Sequence, residues 1–133
     1  MCPDDGRVIS NIIVQSLKGH DITIYGDGSQ TRSFCFIDDL VDGLIRLFYS
    51  DYQNPVNLGN DRERSILDTA EEILNLSGSQ SEIKFQELPV DDPKKRRPDL
   101  SKASKILDWK PKTDFKSGIS KTIDWFRKEL NLN

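Results

Sequence analysis

The segment Tyr25-Gly-Asp-Gly-Ser-Gln-Thr-Arg-Ser-Phe34 is the part of the chain that says most about its fold. A short strand, predicted at Ile22–Tyr25, ends in this glycine-rich turn. A second extended run is predicted at Ser33–Phe36, with Gln30 and Arg32 at its entrance. Glycine permits positive φ and a close approach to the backbone, and arginine carries a planar charged group that suits phosphate oxygens. Taken alone, the segment favours a tight hairpin that displays a surface arginine over a phosphate site.

Composition excludes several function classes. The 133 residues suit one domain with a modest core. A net charge of −3 argues against broad affinity for nucleic acid, and no apolar run approaches the roughly 20 residues that a membrane span needs. Cys2 and Cys35 lack metal-ligand spacing. We therefore expect free thiols in a reducing cytoplasm, no metal site and no membrane partner.

Apolar periodicity predicts a single unit, residues 1–133, with five helices and short strands. Asp4 or Asp5 offers an N-terminal cap for the first helix, and Ser65 with Asp68 is typical of a capping box for the third. The apolar arc of the second helix is wider than one buried stripe requires. The predicted helices are Arg7–Lys18, Ile37–Phe48, Ile66–Leu76, Ser101–Leu107 and Phe115–Leu130, and the further predicted strands are Val56–Leu58 and Ile83–Leu88.

Motifs along the chain carry a family resemblance. They are Asp5-Gly-Arg-Val-Ile-Ser-Asn11, Tyr25–Phe34 followed by Asp39-Leu-Val41, Val56-Asn-Leu-Gly-Asn60, Asp92-Pro-Lys-Lys-Arg-Arg-Pro-Asp99 and Leu107-Asp-Trp-Lys-Pro111. Together they resemble the C-terminal substrate-binding part of the extended short-chain dehydrogenase/reductase family, and within it the UDP-glucuronate decarboxylases. The resemblance covers nearly the whole chain, and sugar-nucleotide epimerases and dehydratases share its looser parts.

The resemblance implies an α/β fold: a helix-rich C-terminal portion with short strands, lacking the N-terminal Rossmann half. Enzymes of this family carry a Gly-x-x-Gly-x-x-Gly turn for NAD and a Tyr-x-x-x-Lys pair that shuttles a proton, and the sequence contains neither. Gly26 and Gly28 neither follow a buried parallel-type strand nor open a helix, so they are not a dinucleotide fingerprint. We therefore expect a fragment of a larger enzyme, from an internal start or a split gene. NAD would be bound by the missing half, and the chain alone would be inactive.

The resemblance also assigns substrate-binding residues, but no catalytic residue, to this chain. Arg32 and Arg96 would hold the substrate diphosphate, with Asp99 orienting Arg96 through a charged pair. Arg7 would contact the carboxylate of the sugar, and Tyr25 would either stack on the base or cap the core. The complete set of substrate-binding candidates is Arg7, Tyr25, Gln30, Arg32 and Arg96.

The basic run Lys94-Lys-Arg-Arg97 has alternative interpretations. Such runs are often solvated loops or nucleic-acid contacts. Because Asp91, Asp92 and Asp99 bracket this run in an acidic chain, nucleic acid is the least favoured of them. The loop interpretation stays open beside the diphosphate role.

By resemblance, the parent enzyme oxidises C4 of UDP-glucuronate with NAD, releases CO₂ and returns the hydride to give UDP-xylose. This chain would supply the grip on a UDP-sugar or dTDP-sugar. Half of a dTDP-glucose 4,6-dehydratase or of an epimerase, and a stand-alone sugar-nucleotide-binding module, are the alternatives. We also expect an exposed apolar patch from Ile37–Phe48 and Val56–Leu58, which the missing half would cover, and a homo-oligomer.

Overall fold

The computed structural model describes residues 1–132 and has the expected mixed α/β class. Within this range, five helices combine with two two-stranded sheets. The helices are α1 Val8–Lys18, α2 Ile37–Phe48, α3 Ile66–Ser77, α4 Ser101–Leu107 and α5 Phe115–Glu129. The strands are β1 Ile22–Tyr25, β2 Thr31–Ser33, β3 Glu63–Ser65 and β4 Ile83–Gln86. None of these five helices has both the length and the apolar character that crossing a membrane requires.

The helix ends follow the capping signals, with one correction. The Ser65 side chain accepts a hydrogen bond from the Asp68 backbone N–H at 3.0 Å, and Gly78 ends α3 in the left-handed region. The expected aspartate cap of α1 is wrong, because Arg7 occupies the cap position without a side-chain cap bond. Asp5 lies two residues earlier, and its Oδ1 accepts the Arg7 backbone N–H at 3.0 Å. Its carboxylate therefore orders the turn that leads into the helix.

Strand pairing differs from the hairpin interpretation. β1 pairs in parallel with β4, whereas β2 pairs antiparallel with β3. The turn between β1 and β2 is therefore not a hairpin turn, because it delivers the chain to a second sheet. A glycine-rich turn shows that the chain changes direction, but the ladder partner is chosen by segments far away in sequence.

Three strand predictions also need correction. The strand predicted at Ile83–Leu88 ends earlier, at Gln86. The extended run predicted at Ser33–Phe36 is instead β2, Thr31–Ser33. Val56–Leu58 is not a strand, because it pairs with no other strand among residues 1–132. The side chains of Val56 and Leu58 pack against the cluster around Trp109. The sequence analysis also missed β3, whose charged residues give no apolar alternation.

The main core lies where α1, α3 and α5 meet β1. Its fully buried members include Ile13, Ile22, Ile73 and Phe126. A second, smaller cluster forms around Trp109, which is 1% exposed, together with Ala103 and Leu107 of α4. Trp125 lies outside the core, 45% exposed, with its ring edge-on to Phe126.

Helix α2 lies between the Trp109 cluster and the solvent. Trp109 Nε1 donates to the Asp39 carbonyl at 2.9 Å, and Asp39 Oδ2 accepts the backbone N–H groups of Lys112 at 3.1 Å and Thr113 at 2.8 Å. The opposite face of α2 exposes Ile37, Val41, Leu44, Ile45 and Phe48. The expected exposed apolar face is thus confirmed for the helix. Val56 and Leu58 do not extend it, because both are partly buried.

Candidate functional site

The basic run lies beside β2. The Thr31 backbone N–H donates to the Lys94 carbonyl at 2.9 Å, and Ser33 Oγ donates to the Arg96 carbonyl at 3.4 Å. Segment 94–96 therefore follows the edge of β2 that is not paired with β3. This arrangement brings the two predicted phosphate-binding segments together.

Arg32 is held in place on β2 by two contacts. Its Nη2 donates to Asp92 Oδ1 at 2.6 Å in an ion pair, and its Nη1 donates to the Thr31 carbonyl at 2.7 Å. Its side chain is 16% exposed. The pairing with Asp92 was not predicted, because nothing in the sequence near Arg32 indicates a partner 60 residues away. Arg32 keeps further in-plane donors for a ligand, since a guanidinium carries five.

Arg96 is exposed, and its expected pairing with Asp99 is wrong. Asp99 Oδ1 instead accepts the backbone N–H of Ser101 at 2.9 Å and its hydroxyl at 2.7 Å. These hydrogen bonds lower the pKa of Asp99, and the nearby positive charge of Arg97 lowers it further. Asp99 therefore orders the start of α4 and leaves the Arg96 side chain without an ion pair among residues 1–132.

Gln30 and Tyr25 belong to the turn that precedes β2. Gln30 is buried, and its side-chain Nε2 donates to the backbone carbonyl of Tyr25 at 2.8 Å. The backbone carbonyl of Gln30 accepts the Ile66 backbone N–H at 3.0 Å. Gln30 therefore joins the turn to the start of α3. The Tyr25 ring is 45% exposed and accessible for stacking.

Arg7 lies apart from this group, at the start of α1. Its side chain is 80% exposed, with Nε 3.9 Å from Asp5 Oδ2. Within residues 1–132, no hydrogen bond or ion pair connects Arg7 to β2 or to segment 94–96. The structure thus joins the segments that carry Arg32 and Arg96 by hydrogen bonds, whereas the ion pair of Arg7 and the hydrogen bond that its backbone N–H donates both go to Asp5.

A cleft of about 1130 Å³ borders this site and reveals residues that the sequence analysis missed. Its walls come from the segment leading into β3, the start of α4 and the loop before α5. The cationic lining residues are Arg62, Arg64, Arg97, Lys110, Lys112 and Lys116. Arg62-Glu63-Arg64-Ser65 alternates in charge and polarity, a period-2 pattern that could have indicated β3.

The glycine turn does not fit a dinucleotide. Gly28 has φ +78°, and a Cβ there would lie 2.9 Å from Leu67 Cβ, so the turn packs closely against α3. The expectation that no buried parallel strand precedes these glycines is wrong, because β1 pairs in parallel with β4 and buries Ile22 and Ile24. The turn nevertheless leads into extended β2 and not into a helix whose N-terminus could hold a pyrophosphate. The residues of this turn therefore do not fit NAD.

The remaining reactive groups indicate no further chemistry. Both cysteines are free, as expected. Burial raises the pKa of Cys35, and the negative charge of Asp39 raises it further, so this thiol is a weak nucleophile. Among residues 1–132, no three His, Cys, Asp or Glu side chains are grouped to hold a metal ion.

Comparison with known proteins shows the family of this chain. Residues 5–122 match the family described as GDP-mannose 4,6 dehydratase, and the chain belongs to that family. UDP-glucuronic acid decarboxylase 1 of Xenopus tropicalis is 49% identical over 96% of this chain and 30% of its own length. UDP-glucuronic acid decarboxylase 3 of Arabidopsis thaliana is 44% identical over 97% of this chain and 38% of its own. The predicted resemblance is thereby confirmed, and the chain spans roughly a third of the length of these relatives.

Solved structures support the same fold. UDP-glucuronic acid 4-epimerase of Bacillus cereus, in complex with UDP-glucuronic acid and NAD, superposes with a TM-score of 0.86 at 29% identity, over 96% of this chain and 41% of the epimerase. UDP-N-acetylglucosamine 4-epimerase of Methanobrevibacter ruminantium, in complex with UDP-N-acetylmuramic acid, gives 0.90 at 26% identity, over 96% and 42%. The fold is thus the one that these epimerases contain in about two fifths of their length.

Proposed function

We propose that this chain is the nucleotide-sugar-binding C-terminal portion of an NAD-dependent UDP-glucuronate decarboxylase, which forms UDP-xylose. The observation that carries the proposal is the hydrogen bonding of segment 94–96 to β2, which puts Arg32 and Arg96 on adjacent segments. Two guanidinium groups suit a diphosphate, which carries about two negative charges and accepts bidentate hydrogen bonds. Relatives named UDP-glucuronic acid decarboxylase support this substrate over the other sugar nucleotides.

The other candidate residues have distinct roles in the proposal. Tyr25 is exposed and would stack on the base, whereas Gln30 would act indirectly by fixing the turn that carries Tyr25. Arg7 would contact the sugar carboxylate, and its exposed guanidinium is free of any contact shorter than 3.9 Å to a carboxylate. The chain would thus position the substrate, while hydride and proton transfer belong to the remainder of the parent enzyme.

The exposed face of α2 is proposed to contact that remainder, a dinucleotide-binding half. Ile37, Val41, Leu44, Ile45 and Phe48 share one helical face, with Phe48 80% exposed. Exposed apolar patches of this kind mark interfaces. The relatives are about three times as long as this chain, so sequence is available to cover the face. A homo-oligomer of the chain through the same face is the alternative, and sedimentation with and without the added half separates the two.

A decisive test titrates UDP-glucuronate and dTDP-glucose against the chain, with and without a half that carries the dinucleotide turn and the Tyr-x-x-x-Lys pair. We expect tighter binding of UDP-glucuronate, UDP-xylose formation only with both parts, and neither NAD binding nor turnover by the chain alone. Preferential binding of dTDP-glucose would favour the dehydratase alternative, and formation of the C4 epimer of UDP-glucuronate would favour the epimerase. Binding without turnover by any combination would favour a stand-alone binding module.

A further inference from the structure

Arg64 of β3 lies directly opposite Arg32 of β2 in the antiparallel register. Directly opposed residues of a ladder project from the same face of the sheet, and like charges in such pairs are destabilising. Asp92 compensates the charge of Arg32 at 2.6 Å. Arg64 has no ion pair and no side-chain hydrogen bond within residues 1–132. The positive charge of Arg32 is therefore paired with a carboxylate, whereas that of Arg64 is not.

The Arg64 guanidinium is nevertheless held in a defined position. Its Cζ lies 4.0 Å from the centroid of the Phe115 ring, and Phe115 in turn packs against Phe34 with 6.0 Å between centroids. A cation–π contact uses the face of the guanidinium and leaves the in-plane N–H donors available. The Nε of Arg64 is buried without a hydrogen-bond partner among the described residues. A buried donor of this kind is costly unless a partner arrives.

Arg64 lines two pockets of opposite charge. One is acidic and contains Glu63, Asp68, Glu71 and Glu72. The other is the cationic cleft, and the guanidinium faces it, because the Phe115 ring on which it stacks lines that cleft. The cleft that it lines contains six cationic side chains against the four carboxylates of Asp61, Glu63, Asp99 and Asp114. Asp99 and Asp114 already accept the backbone N–H groups of Ser101 and Ser117. The cleft thus carries a surplus of positive charge, which attracts anions.

We propose that Arg64 is a further phosphate contact of the nucleotide-sugar site, acting together with Arg32 across the β2–β3 ladder. The ligand class is a nucleoside diphosphate, whose oxygens would bridge the two opposed guanidinium groups and remove their repulsion. This inference rests on the proposed function and adds a residue to it. Arg64 contributes specificity for the diphosphate, because its stacked fork is fixed before the ligand binds.

The test uses the 133-residue chain and the arginine Nε–H signals in ¹H–¹⁵N spectra. The Nε–H signals of Arg32 and Arg64, assigned from Arg→Lys variants, are followed during titration with UDP and with inorganic pyrophosphate. We expect both signals to move with both ligands at one common affinity. The pyrophosphate titration separates recognition of the diphosphate from recognition of the nucleoside.

Variants separate a binding role from a structural one. Arg64→Leu keeps an apolar contact with Phe115 but loses the charge, and should weaken UDP binding by about 10- to 100-fold. Arg64→Lys should recover part of the loss, because lysine keeps the charge without the fork. Lys128→Leu removes a positive charge in the last turn of α5, outside the cleft, and should change affinity by about twofold or less.

The outcomes distinguish the inference from the function on which it rests. If Arg32→Ala loses UDP affinity while Arg64→Leu does not, Arg64 is not a contact and the proposed function stands. If neither Nε–H signal moves at millimolar ligand, both are refuted. If Arg64→Leu unfolds, the unmodified chain decides, since a static Arg64 signal beside a moving Arg32 signal overturns the inference.

Discussion

Replacing Asp39 should reveal how the cleft wall is held. Asp39 is 8% exposed, and its Oδ2 accepts the backbone N–H groups of Lys112 and Thr113, both of which line the cleft. In Asp39→Ala, these two donors lose their partner and the loop that contains them loses its connection to α2. The bond from Trp109 Nε1 should persist, because it ends on the Asp39 carbonyl.

The magnitude follows from the two hydrogen bonds, at 3.1 and 2.8 Å. A hydrogen bond to a charged group contributes about 1.5–3 kcal/mol. Since both donors share one oxygen, we take about 3 kcal/mol for the pair, less than the largest sum. For a chain of 133 residues, 1 kcal/mol corresponds to about 4 °C in Tm, so Asp39→Ala should lower Tm by about 12 °C.

Thermal unfolding followed by circular dichroism measures this, with Asp38→Ala as the matched control. Asp38 is exposed and lies in the same first turn of α2, so its loss costs only the helix-dipole contribution of about 0.3–1 kcal/mol. Asp39→Asn keeps the shape and a neutral acceptor, and should lie between the two. If Asp39→Ala destabilised the chain no more than Asp38→Ala, the assigned role of this carboxylate would be wrong.

Four further predictions concern binding, backbone strain, association and pH. Arg32→Ala should weaken UDP-glucuronate binding to the completed enzyme by roughly 10- to 100-fold at a stability cost of about 1 kcal/mol, with partial recovery in Arg32→Lys; isothermal titration with a melting curve checks both. Gly28→Ala should destabilise the chain more than Gly78→Ala. Both glycines have positive φ, but only at Gly28 would the new Cβ lie close to a neighbour, 2.9 Å from Leu67 Cβ. The midpoints of denaturant unfolding of the two variants measure the difference, and equal midpoints would contradict the prediction. Leu44→Glu should reduce self-association of the chain without lowering Tm, since Leu44 is 51% exposed; sedimentation velocity that shows no change would exclude the α2 face as the interface. Hydrogen bonds at the start of α5 lower the pKa of Asp114 below the ordinary carboxyl value of 3.8. The ionised carboxylate should therefore stabilise the fold above pH 3.8, and this stabilisation should be lost as the pH falls through the lowered pKa. An NMR titration midpoint at or above 3.8 would contradict this.

Local sequence determined the helices and the family. Helices α2 and α4 match their predicted bounds, and α3 begins at its predicted residue, because apolar periodicity and capping act within one or two turns. The same periodicity predicted an apolar arc on α2 too wide for one buried stripe, and its outward face is exposed. The motifs identified the relatives because they consist of particular residues at short spacings, which can be recognised without the fold.

Tertiary structure alone decided the strand partners and the composition of the cleft. β2 pairs with β3 more than 30 residues away, and Arg32 reaches Asp92 across 60 residues. A strand can form its backbone hydrogen bonds with the edge of any compatible strand, so the sequence of a strand does not determine which strand it pairs with. The opposition of Arg32 and Arg64 is a consequence of that register, and the stacking of Arg64 on Phe115 depends on where α5 packs. The sequence shows which residues are arginine, aspartate or phenylalanine, whereas only the folded chain shows which of them lie close together.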